Sequence, residues 1–392
     1  MKNSSIQTGL WATIKREFRR LYSRPIYFFS MLIAPIFCAL FFTTLMSDGL
    51  PSRLPIGAVD LDRTSMTRKL LRNLDTFQQT DIKYNYASFQ DARKAMQRND
   101  IYGFFYIPEG VTEDALGQRQ PNISFYTNNS FLIAGSLTFK DMKTTGELAS
   151  GGFSLSVLLS KGLSDEQAKV ATRPISIDTH PLNNPWLNYS VYLSNTLLPG
   201  VIALMVLLVT VYSLGTEMKE NSARDWLKTG DKSIITSLLG KLIPQTAIWF
   251  LVGALIIIYL YGYLSFPCNG GIANMFFAMA LLILASQGLA VFVFGVIPMF
   301  RLALSSASLW GVLAFSITGF SFPVMAMSPA LQVATNLFPL RHYFLIYVNS
   351  ALNGYPISYA WTNYLVLFIF MLLPLLVLGR LKKALIYFKH ID

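Results

Sequence analysis

The chain has 392 residues, of which 53% are hydrophobic and only 14% are charged, and its formal net charge is +11 at neutral pH. Soluble domains carry about a quarter charged residues, so this composition excludes an ordinary soluble protein and places the chain among membrane proteins. The net charge does not indicate nucleic-acid binding, because the basic residues flank apolar stretches instead of sharing one soluble face with aromatic residues.

An amphipathic helix is predicted over residues 1–24. Apolar side chains recur every three or four positions, with basic side chains between them: Trp11, Ile14, Phe18 and Leu21, then Lys15, Arg16, Arg19 and Arg20. Such a helix lies in the membrane interface, with its apolar face toward lipid and its basic face toward headgroups and water. The alternative is a solvated basic tail in which the apolar residues are incidental.

The first transmembrane helix is predicted over residues 25–47. These 23 residues carry no charge. They are long enough to cross about 30 Å of hydrocarbon at about 1.5 Å per residue. A cleaved signal peptide also begins basic and continues apolar. The stretch after Phe41 offers no pair of small residues for cleavage, so the sequence favours an uncleaved span.

Residues 48–186 are predicted to form an inserted α/β domain. The stretch 47–188 holds 15 basic and 15 acidic residues, so it is neutral. Strand-like and helix-like patterns alternate, with strands at 56–60, 81–86, 102–107 and 123–126, and helices at 65–74, 89–98, 131–160 and 163–170. Such alternation is typical of a central sheet with helices packed on it.

Five further spans are predicted over 187–214, 242–264, 272–300, 302–322 and 359–379. Between them, residues 215–241 form a polar loop with five basic and four acidic side chains. Residues 323–356 are apolar but interrupted by prolines, which favours short or re-entrant helices over a complete crossing. The sequence therefore predicts an α-helical integral membrane protein with six transmembrane helices and an inserted α/β domain.

The distribution of basic residues predicts an orientation. Residues 1–25 hold six basic and one acidic side chain, and residues 380–392 hold four and one. Short loops rich in Lys and Arg stay in the cytoplasm. Both termini and the 215–241 loop are therefore predicted to be cytoplasmic, and the neutral insert extracytoplasmic.

No catalytic, nucleotide-binding or metal site is predicted in this chain. The sequence contains neither a P-loop nor a GxGxxG motif. His180, His342 and His390 lie in separate segments, which does not favour a shared metal ion. The predicted spans carry no charged residue, which argues against a proton-coupled transporter. Gln245 and Gln287 are more typical of hydrogen bonds between helices.

Several short motifs resemble, in order, those of the permease subunits of type-2 ATP-binding-cassette (ABC) exporters, in the subgroup with a large extracytoplasmic domain after the first span. They are the basic segment 14–21, which is an elbow helix in that family, Pro35, Asn184-Pro185, Pro199-Gly200, Leu239-Gly240-Lys241, and the series Gly319, Pro323, Met327, Pro339 and Tyr343. The resemblance covers almost the whole chain. The loop departs from the family pattern at Ser222 and Ala223, where Gly and Thr are usual.

The resemblance implies a permease that dimerises with a second copy or a paralogue and binds cytosolic ABC ATPase subunits. ATP and Mg²⁺ would be held by those subunits, and this chain would bind no cofactor. Three groups of residues are implied as sites. ATPase coupling would involve Glu217, Glu220, Arg224, Asp225, Trp226, Leu227 and Lys241; the elbow helix would present Trp11, Ile14, Phe18, Arg19 and Arg20; and an outer gate would contain Pro323, Met327, Pro339 and Tyr343.

The leading hypothesis is that this chain, in the bacterial cytoplasmic membrane, moves a drug, a lipid or another amphiphilic cargo outward. The extracytoplasmic domain would then receive cargo or engage a periplasmic adaptor. The alternative is a non-transporting receptor, or a mechanotransmitting or assembly protein, that acts through its extracytoplasmic domain. An ATPase encoded beside this chain would favour export.

Overall fold

The computed structural model describes residues 8–117, 119–173, 175, 177–185 and 187–387. The chain divides into two compact units, one formed by residues 48–181 and the other by the sequence on either side of it. The predicted insert, 48–186, ends slightly beyond the first of these units. The two units are termed the α/β domain and the membrane unit.

The membrane unit is helical. It begins with helix α1, Leu10–Ser23, and helix α2, Pro25–Leu45. After the α/β domain it continues with α8, Tyr189–Lys219; α9, Ala223–Thr229; α10, Ile234–Tyr263; α11, Ile272–Val296; α12, Phe300–Ile317; α13, Pro329–Ala334; α14, Pro339–Tyr347; α15, Trp361–Leu376; and α16, Leu378–Tyr387.

Within the described residues, five of these helices (α2, α8, α10, α11 and α12) are long and apolar enough to cross a membrane. The pair α15 and α16 supplies a sixth crossing if it counts as one span, bent by 43° at the break between them. Pro374 lies just before that bend, where a proline removes a helical hydrogen bond. The chain is therefore a multi-pass membrane protein, as the sequence predicts.

Helix α11 lies at the centre of the membrane unit. In its most apolar stretch of 18 residues, 72% of the residues are buried within the chain, against 28% for α2 and 22% for α12. A large core surrounds it, with Trp249 and Ile256 of α10, Leu282 of α11 and Tyr343 of α14 buried together. The weakly buried faces of α2 and α12 are apolar, as expected of helices that meet lipid or another apolar surface.

A proline explains the irregular geometry of α2. Pro35 has no N–H to donate, and its ring crowds the carbonyl of the residue four positions earlier. The five residues before Ala34, Phe29–Ile33, accordingly adopt a wider π turn. A second π segment, Ile258–Tyr263, forms the last turns of α10.

The α/β domain contains a four-stranded sheet. Its elements in chain order are β1, Leu54–Asp60; α3, Ser65–Asp75; β2, Thr80–Asn85; α4, Phe89–Gln97; β3, Gly103–Ile107; α5, Val111–Leu116; β4, Ser124–Thr127; α6, Leu132–Ser160; and α7, Asp165–Thr172. The strand order is β2-β1-β3-β4.

Parallel pairing joins the first three strands of this sheet. Strand β1 pairs with β2 through Ile56 and Ile82, and with β3 through Gly57 and Phe104. Strand β4 is antiparallel to β3. Because parallel neighbours need a crossover, helices α3 and α4 connect β1 to β2 and β2 to β3. The carboxyl ends of β1 and β2 therefore lie at the same edge of the sheet.

The sheet is covered on both faces. Leu70 and Leu74 of α3 pack with Ile56 on one face, and Ala92 and Ala95 of α4 pack on the other. The helices begin at side-chain caps, since the Thr64 hydroxyl accepts from the backbone of Thr67 and the Ser88 hydroxyl accepts from that of Asp91. This is the inserted α/β fold that the alternating pattern predicts.

The predicted bounds differ most around the polar segment 215–241. Helix α8 continues to Lys219, past the predicted span end at 214, and α10 begins at Ile234, before the predicted start at 242. The Ser233 hydroxyl caps α10 by accepting from Thr236. The predicted bounds stop at the first charged residues, but charged residues continue these helices because their side chains are paired inside the protein.

Candidate functional site

Helix α1 is amphipathic: Trp11 and Phe18 of the predicted lipid-facing side are exposed on the chain, whereas Leu21 of that side is buried against the protein. Thr13, Glu17 and Leu21, spaced four residues apart, are buried. Trp11 is 74% exposed and Phe18 49% exposed, so the aromatic residues point away from the rest of the chain. The helix therefore has a buried face that carries a carboxylate and an outer face that carries exposed aromatic residues.

A glycine permits close contact between α1 and α10. A Cβ atom added to Gly240 would lie 2.5 Å from the Cβ of Thr13, far closer than side chains approach each other. The backbone at the start of α1 is also held, because the Gly9 N–H donates to the carbonyl of Thr229 at 2.7 Å. Helix α1 is therefore held against both α10 and the end of α9.

Lys241 lies at the centre of a buried charge cluster. Its side chain is fully buried, and its Nζ donates to Glu17 Oε2 at 2.9 Å and to Glu217 Oε1 at 2.8 Å. Both carboxylates are also buried. A third contact, at 3.2 Å, joins Nζ to the hydroxyl of Ser213. One ammonium group therefore connects α1, α8 and α10.

Gln245 completes the polar contacts of Glu17. Its Nε2 donates to Glu17 Oε1 at 2.8 Å and to Ser213 Oγ at 3.0 Å. Elsewhere, Thr246 donates to Gln287 at 2.7 Å. The prediction that Gln245 and Gln287 form hydrogen bonds between helices is confirmed.

Arginines of α1 hold the other carboxylate of the cluster. Arg16 binds Glu217 through two parallel bonds, Nη1 to Oε1 at 2.7 Å and Nη2 to Oε2 at 2.8 Å. Arg20 donates to Glu217 and, at 3.2 Å, to Glu220. Arg24 donates to Glu220 Oε2 at 2.7 Å. Forked arginine–carboxylate pairs are among the stronger and more directional hydrogen bonds in proteins.

Trp226 of helix α9 packs against the charge cluster. Trp226 is fully buried, and its ring centroid lies 4.9 Å from Lys241 Nζ, close enough for a cation–π contact. Leu227 is buried beside it in a core that includes Leu214 and Leu238. Trp226 and Leu227 therefore pack inside this chain and do not face outward.

The opposite face of α9 is exposed and polar. Arg224, Asp225 and Lys228 lie on it, and Lys228 Nζ is 3.3 Å from Asp225 Oδ1. Arg224 also donates to the carbonyl of Ile386 in α16, at 3.1 Å. Of the predicted coupling residues, Arg224, Asp225 and partly Glu220 are accessible to another protein, whereas Glu217, Trp226, Leu227 and Lys241 are not.

The charge cluster is suited to mechanical connection rather than to chemistry. Three positive groups, on Arg16, Arg20 and Lys241, meet two carboxylates, on Glu17 and Glu217, and each carboxylate accepts at least two hydrogen bonds. Breaking a buried pair of this kind costs several kcal/mol, because it leaves an uncompensated charge. Helices α1, α8, α9 and α10 are therefore expected to move together.

Comparison with known families identifies the class of protein. A family model described as "ABC-2 family transporter protein" matches residues 25–380. The chain belongs to this family. It is therefore the membrane permease subunit of an ABC transporter, a transport subunit distinct from the ATPase, and the family implies a partner ATPase subunit. No curated protein matches the chain.

In this permease, several residues of the charge cluster escape recognition from sequence. Arg16 and Glu17 lie within the basic segment 14–21, but neither is among the site residues that the resemblance implies, and Ser213 belongs to none of the motifs. One signal is present: Thr13, Glu17 and Leu21 share a helical face, and an acid in line with an apolar residue indicates a buried partner. That partner, Lys241, lies more than two hundred residues away in sequence.

The segment 323–347, which contains the predicted gate residues, consists of short helices. Pro323 is exposed, Met327 is half-buried, and its carbonyl accepts from Gln332 Nε2 at 2.9 Å. Pro339 begins α14, and Tyr343 is buried in that helix among the core of the membrane unit. Of the four predicted gate residues, Pro323 is therefore exposed, Met327 is half-buried, and Pro339 and Tyr343 are buried.

Two further features of the permease bear on its sites. An open furrow of about 810 Å³ lies between α2, α8 and α12, lined by apolar side chains and by the hydroxyl groups of Ser30, Ser305 and Ser308.

In the described part of the chain, no group of three or more His, Cys, Asp or Glu residues could hold a metal ion. His342 bonds instead to Asn363 and to the carbonyl of Asn336, and His390 lies outside the described residues.

Proposed function

We propose that the permease exports a drug, lipid or other amphiphilic cargo, using ATP hydrolysed by its partner ATPase subunits. The observation that carries this proposal is the buried charge cluster, because it joins the exposed face of α9 to the spans. Motion imposed at Asp225 and Lys228 would pass through Trp226 to Lys241, and from there to α8 and α10. These two helices are membrane spans.

The furrow between α2, α8 and α12 supports the choice of an amphiphilic cargo. Its wall is mostly apolar, with hydroxyl groups and no charged side chain. Such a surface accepts hydrocarbon while offering a few hydrogen-bonding groups, which is typical of ligand pockets. Its volume suits a molecule of drug or lipid-headgroup size.

The membrane arrangement is part of the same proposal. Basic residues flank the cytoplasmic ends that the sequence predicts, so both termini and α9 would lie in the cytoplasm and the α/β domain outside it, in the bacterial inner membrane. The exposed faces of α2 and α12 would meet lipid and a second permease copy or a paralogue. The α/β domain would receive cargo or engage a periplasmic adaptor.

Transport in inside-out membrane vesicles tests the proposal. Vesicles that contain the permease and its cognate ATPase are expected to accumulate an amphiphilic fluorescent dye when ATP is added, and a P-loop variant of the ATPase is expected to abolish accumulation. Ser308→Phe, which fills the furrow, is expected to reduce accumulation more than Ser308→Ala. ATP hydrolysis without dye or lipid movement would instead favour a mechanotransmitting protein and refute export.

A further inference from the structure

The α/β domain has an open cleft between α3 and the end of β2. Its volume is about 560 Å³, and its polar lining includes Asp60, Arg63, Arg68, Arg72, Asn85 and Tyr86. Asp60 ends β1 and Asn85 ends β2, so part of the lining lies at the carboxyl ends of these parallel strands. The size of the cleft is in the range of small-molecule sites.

The cleft carries an excess of positive charge. Three arginines line it, against the aspartates Asp60 and Asp75. Both aspartates are already engaged: Asp60 accepts from the Arg63 backbone at 3.0 Å and the Thr67 hydroxyl at 2.8 Å, and Asp75 accepts from the Ile82 backbone at 2.9 Å. The domain as a whole is neutral, so this clustering does not follow from overall composition.

One of the arginines is held in place by the loop before α3. Arg68 donates through Nε to the carbonyl of Thr64 and through Nη2 to that of Arg63, both at 3.1 Å. Its Nη1 makes no hydrogen bond with the described residues. Arg63 itself has φ of +49°, in the left-handed region that favours glycine. A side chain fixed before binding loses less entropy when a ligand arrives.

None of the three guanidinium groups forms a salt bridge with a carboxylate of the described residues. Salt bridges in the α/β domain, among its described residues, join Arg98 to Asp100, Arg119 to Asp114 and other pairs outside the cleft. Arginines without an internal partner, grouped around one cavity, match the geometry of phosphate and carboxylate groups, which accept two parallel bonds from a guanidinium.

Part of the cleft lining is apolar. Leu71 and Ile82 are half-buried at the margin of the core on the α3 face of the sheet, and Tyr86, which packs with the core on the α4 face, also contributes to the lining. A bare inorganic anion would leave this surface uncovered. An anion with an attached hydrophobic group would cover it while its charged end meets the arginines.

We propose that this cleft binds a small organic anion, with a phosphate or carboxylate on Arg68 and Arg72 and a hydrophobic group against Leu71 and Ile82. The site is separate from the furrow in the membrane unit. It does not depend on the direction of transport or on the ATPase partner, so it can succeed or fail independently of export.

Protection of arginines from chemical modification tests the site. The full-length permease in detergent is treated with phenylglyoxal, and modified peptides are quantified by mass spectrometry. Phenyl phosphate at about four times its Kd is expected to slow modification of Arg68 and Arg72 about fivefold. Arg93, which is exposed on α4 and forms no ion pair with the described residues, is the internal control and is expected to react at an unchanged rate.

A comparison of probes and variants decides the outcome. Phenyl phosphate is expected to protect at a lower concentration than inorganic phosphate, and Arg72→Gln is expected to remove the protection of Arg68, while Arg93→Gln leaves it intact. Equal protection by the two probes would overturn the assignment of a hydrophobic subsite. No protection, or equal protection of Arg93, would overturn the site altogether.

Discussion

Replacing Lys241 with methionine removes the one positive charge that lies between the two buried carboxylates of the cluster. Methionine keeps the length and most of the volume of lysine, so the packing around Trp226 is largely retained. In this variant the two carboxylates keep different hydrogen-bond partners. Glu217 keeps its bonds from Arg16 and Arg20, whereas the hydrogen bonds that Glu17 keeps within the described residues come from Ser213 and Gln245, which are neutral.

The magnitude follows from the burial of Glu17. Its side chain is 1% exposed, and Nζ of Lys241 lies 2.9 Å from its Oε2. Removing one partner of a buried ion pair costs about 3–5 kcal/mol, because the other charge is left without compensation. Removing both charges with Glu17→Gln and Lys241→Met is expected to cost much less, since replacing a whole buried pair by neutral groups is often close to neutral.

Hydrogen exchange of the permease in lipid nanodiscs measures this cost locally, because α1 can open without global unfolding. A loss of about 3 kcal/mol corresponds to exchange in α1 that is about a hundredfold faster. Lys232→Met, an exposed lysine on the same polar segment, is the matched control and is expected to change little. If Lys241→Met exchanged no faster than Lys232→Met, the assigned role of the cluster would be wrong.

Three further predictions concern other positions. Gly240→Val places a side chain against Thr13, so it is expected to cost about 1–3 kcal/mol and to raise hydrogen exchange in α1. Asp225→Asn with Lys228→Gln changes only exposed groups, so ATP-driven dye accumulation is expected to fall several-fold while stability changes by about 0.5 kcal/mol or less. Burial raises the pKa of Asp141 in α6, so the folded domain binds a proton more readily than the unfolded chain, and exchange protection of α6, corrected for intrinsic rates, is expected to fall as pH rises above about 4, the usual pKa of an unfolded aspartate.

Matched variants make these three outcomes decisive. Gly240→Ala adds the smallest side chain and is expected to have a weaker effect than Gly240→Val. Equal hydrogen exchange of α1 in the unchanged protein and in these two variants would contradict the close contact between Gly240 and Thr13. Lys69→Gln, on the α/β domain, should leave transport unchanged, and full transport by the Asp225 and Lys228 variant would remove α9 from coupling. Asp141→Asn should abolish the pH dependence, and an unchanged pH profile in this variant would show that another group causes it.

Much of the fold follows from local pattern. Strands β1 and β3 are short apolar runs bounded by polar turns, and their predicted bounds differ from the observed ones by a few residues at most. The spans follow from length and lack of charge. These features depend on neighbours in sequence, which is why sequence alone predicts them.

The charge cluster could not be predicted in the same way. It combines Glu17, Ser213, Glu217 and Lys241, and the first of these is about two hundred residues from the others. Pairing over that distance is a property of the folded helices. The expectation that a span ends near its first charged residue also fails at this cluster. Glu217 and Lys241 continue α8 and α10 because their charges are compensated.

The position of Trp226 was accessible to sequence reasoning, although the motif comparison did not reveal it. Ala223, Trp226 and Leu227 lie on one face of a helix by their three- and four-residue spacing, and Asp225 and Lys228 lie on the other. That pattern separates the packing residues from the residues exposed to a partner. The resemblance to the exporter family indicated the correct segment, but it did not distinguish its two faces.

Site-specific photo-crosslinking in intact membranes tests the central claim most directly. A photoreactive amino acid is placed at Asp225 in one permease variant and at Pro323 in another, both with the cognate ATPase present. We expect the ATPase to be crosslinked from position 225 and not from position 323, and the yield at 225 to change when nucleotide is added. Crosslinking from position 323, or none from position 225, would contradict the central claim.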